Sequence, residues 1–158
     1  MLVNSNMENM MDLILWRHAE AEDSLIDHSR ELTEKGRKQA AKMATFLHKH
    51  LPADTRVMVS PAIRTQQTAA ALTANFTTVP TIAPGASVHA VLQAVRWPNV
   101  GGTVLVVGHQ PTLGAVAAQL LGCEDPSLRI KKSGLWWLSR HHDTSEITLR
   151  LVITPEFL

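Results

Sequence analysis

The chain contains a single cysteine, Cys123, in 158 residues. One thiol closes no internal disulfide, so stability has to come from a packed core, and a reducing, cytoplasmic setting is the expectation. No apolar run approaches the roughly 18 residues that a membrane-spanning helix needs. No basic run is present either: 15 lysines and arginines nearly balance 14 aspartates and glutamates, for a net charge of +1. That balance argues against a nucleic-acid binder working through bulk electrostatics. The opening residues MLVNSNMENMM lack a basic segment followed by an apolar core, so they do not read as a signal peptide. Residues 1–10 are expected to be a disordered tail ahead of one domain over 11–158. Repeats, low-complexity tracts and Pro/Gly/Ser-rich linkers are missing from the sequence as well.

What remains is a globular composition, 45% apolar and 18% charged, in a chain long enough to bury a core unaided. Short apolar runs alternate with amphipathic stretches. DLILW (12–16), RVMVS (56–60) and TVLVVG (103–108) are nearly continuous in apolar residues, the pattern of strands buried on both faces of a parallel sheet. Residues 32–51 place Ala40, Met43, Ala44, Leu47 and Leu51 on one helical stripe, with Lys35, Lys38, Lys42 and Lys49 opposite and Thr33 as the N-cap. Ser60-Pro61 predicts a second helix start, a hydroxyl cap followed by proline at the first helical position. Further helices are predicted over 89–97 and 111–122, the latter stopped by Gly122. GLWWLS (134–139) and ITLRLVI (147–153), joined by a polar turn, predict an antiparallel pair added to the sheet. Trp136 and Trp137 should then point to opposite faces, one inward and one outward. The expected fold is a single three-layer α/β domain with a mostly parallel central sheet and helices on both faces.

In such sheets, ligands bind beyond the carboxyl ends of the strands. The first predicted strand ends in Arg17-His18, the second in Ser60-Pro61 with Arg64 a turn later, and the third in Gly108-His109. Taken singly, each has a bland explanation: a polar strand end, a helix cap, a turn. Together, topology gathers two arginines, two histidines and two helix N-termini at one sheet edge, an arrangement suited to oxyanions.

The segments LWRHAEAE, LTEKGRKQA, VSPAIRTQQTA and VVGHQPTLG resemble, in order and spacing, the motifs of the histidine phosphatase superfamily. This phosphoglycerate-mutase-like group is marked by Arg-His-Gly near its N-terminus. The short chain and DHSRELTEKG (27–36) are most similar to its SixA-type phosphohistidine phosphatase branch. The resemblance runs from about Met11 to Gly122. It implies a phosphatase that uses neither cofactor nor metal, with His18 as nucleophile and a phosphohistidine intermediate. It further implies that Arg17 and Arg64 clamp phosphate oxygens while His109 stabilises charge on the transferring group. Arg30 matches a further phosphate-binding arginine, and Asp27 a nearby carboxylate that acts as acid or orienting group. Glu20 and Glu22 are other carboxylates within reach of that role. Ser60 reads as the cap of its helix, with a hydroxyl contributed to the site as the alternative, and Cys123 as a structural thiol.

Two departures bear on chemistry. The usual Arg-His-Gly is here Arg17-His18-Ala19, the smallest possible change, so room for phosphate should survive. Many members also place a glutamate after the second helix as general acid, yet no Asp or Glu occurs between Asp54 and Glu124. An alkoxide leaving group loses about 10²–10⁴-fold without such an acid. An imidazole leaves far more readily, so the missing acid favours a P–N substrate. The expected partner is therefore a phosphotransfer protein bearing phosphohistidine, with phosphate or other oxyanions in the site, and no nucleic acid or membrane. A monomer or weak dimer is expected. The alternatives are a small-molecule phosphomonoesterase or mutase, and a non-catalytic phosphate-recognition module.

Overall fold

A computed structural model describes residues 10–158; the expected tail lies outside the described residues, except that Met10 already opens the first strand. Strand β1 (Met10–Arg17) is buried on both faces from residue 11 to residue 16, which is why its apolar run is continuous rather than alternating. It lies parallel to β4 (Gly102–Gly108). On the far side of β4, β2 (Arg56–Val59) and a two-residue β3 (Thr77–Thr78) continue the parallel arrangement. On the other flank β5 (Leu135–His141) runs antiparallel to β1, and β6 (Ile147–Ile153) antiparallel to β5. The sheet order is β3-β2-β4-β1-β5-β6, so the three expected parallel strands and the antiparallel pair fall in place, and the short β3 is an addition.

Helices cover both faces. Helix α1 (Glu34–His50) buries Ala40, Met43, Ala44 and Leu47 against Ile14, Trp16, Val59 and Val107. Each large apolar side chain fully buried there is worth about 1.5–3 kcal/mol. The predicted cap is in place, with Thr33 Oγ1 accepting from the Gly36 N–H at 2.9 Å. Gly36 also lets the helix meet the chain beyond β1: a Cβ there would stand 2.0 Å from the Glu20 carbonyl oxygen. Helix α2 (Ile63–Ala70) shares this face through Ala69. Helices α3 (Val88–Ala94) and α4 (Thr112–Leu120) pack Val91, Leu113, Val116 and Ala117 on Leu13, Leu15, Val104 and Val106 of the opposite face.

Two expectations need correction. Helix α2 starts at Ile63, not at Pro61, and has no side-chain N-cap bond. Ser60 instead prolongs β2, its N–H bonding to the Val107 carbonyl at 3.1 Å, so it remains tied to the sheet. Trp136 does point away from Trp137, but it packs partly buried against the second core rather than facing solvent.

Candidate active site

Sheet register assembles the site. Arg17 pairs with Gly108 across β1 and β4, and the His18 N–H bonds to the Gly108 carbonyl at 3.0 Å. His18 and His109 therefore leave adjacent strands at the same level, and their ring centroids are 5.4 Å apart. The β2 end is tied in by the Ser60 bond to Val107, and Arg64 follows in the first turn of α2. On the other side the Arg17 N–H bonds to the Gly134 carbonyl, and the Ser133 N–H to the His18 carbonyl. His18, His109 and Arg64 are 6%, 5% and 4% exposed.

Each ring is oriented by a hydrogen bond. His18 Nδ1 lies 2.7 Å from the Ala19 carbonyl oxygen. A carbonyl only accepts, so Nδ1 carries the proton and Nε2 keeps its lone pair. Burial, then the charges of Arg64, Arg17 and Arg30, push the His18 pKa down to about 4, against the raising effect of the Ala19 bond. His109 Nε2 lies 2.7 Å from Ser60 Oγ, and its pKa falls to about 3 through burial, then His18, Arg64 and Arg17, with Asp27 opposing. Both imidazoles are neutral at pH 7.

The cations are held but not satisfied. Arg17 donates from Nη1 to the Ile130 carbonyl at 2.9 Å, and burial, Arg129 and Arg64 lower its pKa. Arg64 donates from Nη1 to the Asp27 carbonyl (2.8 Å) and from Nη2 to Asp27 Oδ2 (3.0 Å). Among the described residues, four buried side-chain nitrogens lack a hydrogen-bond partner, and three of them are Arg17 Nε, Arg64 Nε and His109 Nδ1. Unsatisfied buried donors cost about 1–3 kcal/mol each, so their concentration here marks a place prepared for an acceptor. An oxyanion fits that donor set.

The less constrained residues separate. Burial alone would raise the Asp27 carboxyl, but hydrogen bonds and charge from Arg64 and Arg30 outweigh it and hold it below the ordinary carboxylate value. Ionised at neutral pH, Asp27 is suited to orient Arg64 rather than to give a proton. Arg30 sits at the rim, donating to the Glu22 carbonyl at 2.8 Å and reaching Asp27 Oδ1 at 3.4 Å. Glu20, expected as a possible acid, is engaged elsewhere: its carboxylate meets Thr33 Oγ1 at 3.1 Å and Lys35 Nζ at 3.6 Å, at the start of α1. Ser60, expected as a cap, has His109 as its close partner and meets the Ala62 N–H only at 3.4 Å. Arg129, which nothing in the sequence singled out, acts electrostatically on Arg17. Cys123, read as structural, is exposed.

Ala19 fits without strain. It is absent from the non-glycine positive-φ positions (Arg96, Ser133 and Ser145), and its methyl is buried in the core beneath the site. Its N–H donates to Thr68 Oγ1 at 3.1 Å. Among the described residues, no three His, Cys, Asp or Glu side chains are placed to hold a metal ion, and no helix is long and apolar enough to cross a membrane.

Comparison with known proteins agrees with this geometry. The profile of the histidine phosphatase superfamily (branch 1) matches residues 13–86. A phosphohistidine phosphatase SixA homolog from Haemophilus influenzae is 31% identical over 132 residues, covering 73% of this chain and 80% of that protein. Phosphohistidine phosphatase SixA of Escherichia coli is 31% identical over 128 residues, covering 75% and 79%. Among solved structures, the protein histidine phosphatase SixA complexed with tungstate superposes with a TM-score of 0.75 at 25% identity, covering 93% of this chain and 99% of that one. A candidate phosphohistidine phosphatase SixA from Nakamurella multipartitia gives a TM-score of 0.77 at 33% identity, covering 92% and 96%. Strand order, the paired histidines and these likenesses agree: the chain belongs to the histidine phosphatase superfamily, in its SixA-type branch.

Proposed function

We propose that the protein hydrolyses phosphohistidine on a partner protein, without a metal ion, through a phosphorylated His18. The observation that carries this reading is the Nδ1 bond of His18 to the Ala19 carbonyl, which leaves Nε2 unprotonated beside the open donors of Arg17, Arg64 and His109. In the first step the Nε2 lone pair attacks phosphorus, the P–N bond breaks, and the departing imidazole keeps the bonding pair, leaving neutral when its other nitrogen is protonated. Arg17 and Arg64 face the equatorial oxygens, where fixed positive charge lowers the barrier most. Water then attacks phospho-His18, the new P–N bond breaks, and inorganic phosphate leaves.

Three features support a protein-borne P–N substrate. No carboxylate lies between Asp54 and Glu124 to protonate an alkoxide, and Asp27 and Glu20 are committed to other partners. Exposed apolar side chains, Leu25, Ile26 and Ile63, flank the Asp27–Arg64 ion pair at the mouth, as a contact surface would. The SixA structure holding tungstate, a tetrahedral oxyanion, gives a relative's precedent for oxyanion binding.

The test compares rates on a phosphohistidine protein, phosphoramidate and p-nitrophenyl phosphate without added metal. Phosphohistidine protein should be the preferred substrate, and turnover should leave an acid-labile, base-stable phosphate on the enzyme. His18→Ala should lose about 10⁴-fold or more in kcat. Full activity in that variant would rule out the mechanism. Fast hydrolysis of a sugar phosphate with none on phosphohistidine would point to a small-molecule phosphatase.

A further inference from the structure

Beside the phosphoryl site, a cavity of about 380 Å³ is lined by Arg17, Gln110, Ser127, Leu128 and Arg129, among others. The segment carrying Arg129 is fixed on both sides by site residues. Gln110, next to His109, donates from Nε2 to the Leu128 carbonyl at 3.1 Å, and its Oε1 accepts from the Gly114 N–H at 2.7 Å. Arg17 itself donates to the Ile130 carbonyl. Gly114 makes the approach possible, since a Cβ there would stand 1.7 Å from the Leu128 oxygen. Arg129 is thus held, through its neighbours' carbonyls, against the machinery that handles phosphate.

Its side chain is exposed and makes no ion pair or hydrogen bond among the described residues. The nearest carboxylate in sequence, Asp125, is tied to the Ser127 N–H at 2.9 Å. Two guanidiniums facing one cavity repel each other, and like charges are normally placed apart unless an anion joins them. Arginine suits a carboxylate partner because its planar fork matches two oxygens.

We propose that Arg129, with Arg17, frames a second anion subsite that takes a carboxylate of the phosphorylated partner protein, from an acidic residue flanking its phosphohistidine. This rests on the phosphohistidine reading and adds a specificity determinant to it. Arg129 makes no contact with the transferring group; it recognises the surface around it.

The experiment has two arms. Kinetics of wild type, Arg129→Ala and Arg129→Lys are measured on a phosphohistidine protein and on phosphoramidate. Calorimetric titrations compare inorganic phosphate with phosphoglycolate, which adds a carboxylate. Arg129→Ala should raise KM for the protein about tenfold with kcat unchanged, leave phosphoramidate hydrolysis untouched, and be partly rescued by lysine. Wild type should bind phosphoglycolate about tenfold tighter than phosphate, and Arg129→Ala should lose that preference. Equal losses on both substrates would show that Arg129 acts only through Arg17 and would overturn the subsite, as would an unchanged protein KM with no phosphoglycolate preference. A preference abolished by Arg129→Ala in an enzyme inactive on phosphohistidine would keep the subsite, reject the phosphohistidine reading and assign the carboxylate to a small molecule.

Discussion

Strand β1 carries a charged side chain near each end, Asp12 buried and Arg17 partly buried, and the two are treated in opposite ways. Near the amino end, Asp12 is 9% exposed and accepts from Trp137 Nε1 at 2.9 Å, from Ser139 Oγ, and from Arg150 Nη1 at 2.7 Å. Arg150 also lies over the Trp137 ring, its Cζ 5.0 Å from the centroid. Near the carboxyl end, Arg17 Nε has no partner among the described residues, nor do Arg64 Nε and His109 Nδ1 around it. One end satisfies its charge internally; the other keeps donors open. Removing a group from the first should cost stability and leave chemistry alone, and removing one from the second should do the reverse.

Arg64→Ala is the sharpest way to break that contrast. It deletes a cation with an unpaired Nε, and the Asp27 carboxylate it leaves is exposed and regains water, so Tm should change little, while kcat/KM should fall about 10²–10³-fold. Thermal melts and steady-state rates on the same preparation decide it. A large drop in Tm with activity retained would erase the distinction between the two ends.

Acid sharpens it next. His18 titrates at about 4 and His109 at about 3 in the fold, both below the ordinary 6.5. Between those values the unfolded chain binds more protons than the folded one, so stability rises with pH. The contribution is complete above pH 6.5 and is lost as pH falls toward 4 for His18 and toward 3 for His109. For His18 alone the loss is on the order of 3 kcal/mol. Urea titrations at several pH values should show wild type weakening through this window and His18→Gln weakening less. Parallel profiles for the two proteins would contradict the assignment.

At the amino end, Asp12→Ala strands the Trp137 N–H in a buried setting, while Arg150, half exposed, can regain water. A loss of about 2 kcal/mol follows, seen as a fall in Tm of roughly 6 °C. Activity at 25 °C should stay within twofold of wild type.

The contrast between the ends also explains which features were legible in the sequence. Strand runs, the α1 stripe and the Thr33 cap are local patterns, and the structure places them within a residue or two. The convergence of Arg17, His18, Arg64 and His109 was legible because parallel topology aligns strand ends. The partners of single polar side chains were not. Asp12 meets Arg150 across 138 residues, and Ser60 meets His109 across 49, distances over which no periodicity speaks. Glu20 looked available because its neighbours in sequence are the site, yet Gly36 brings the start of α1 close enough to claim it. Strand β3 is two exposed threonines, too short to leave a pattern.

Ser60 is where the expectation failed most usefully, and its variant should show the smallest effect. Its hydroxyl meets His109 Nε2 at 2.7 Å while accepting from the Ala62 N–H at 3.4 Å. The hydroxyl has lone pairs to spare for the Ala62 N–H, so its proton is free to point at the ring; with Ser60 as donor, Nε2 accepts and Nδ1 carries the hydrogen. Nδ1 has no partner among the described residues, and in this tautomer it is a donor available to a phosphoryl oxygen. Ser60 is then a positioning residue, setting which face of His109 donates. Ser60→Ala should lower kcat about tenfold, with substrate KM nearly unchanged. Ser60→Thr should restore most of that loss, because it returns the hydroxyl. A cap alone would predict a loss of Tm with normal kcat, so the pair of measurements separates the two roles.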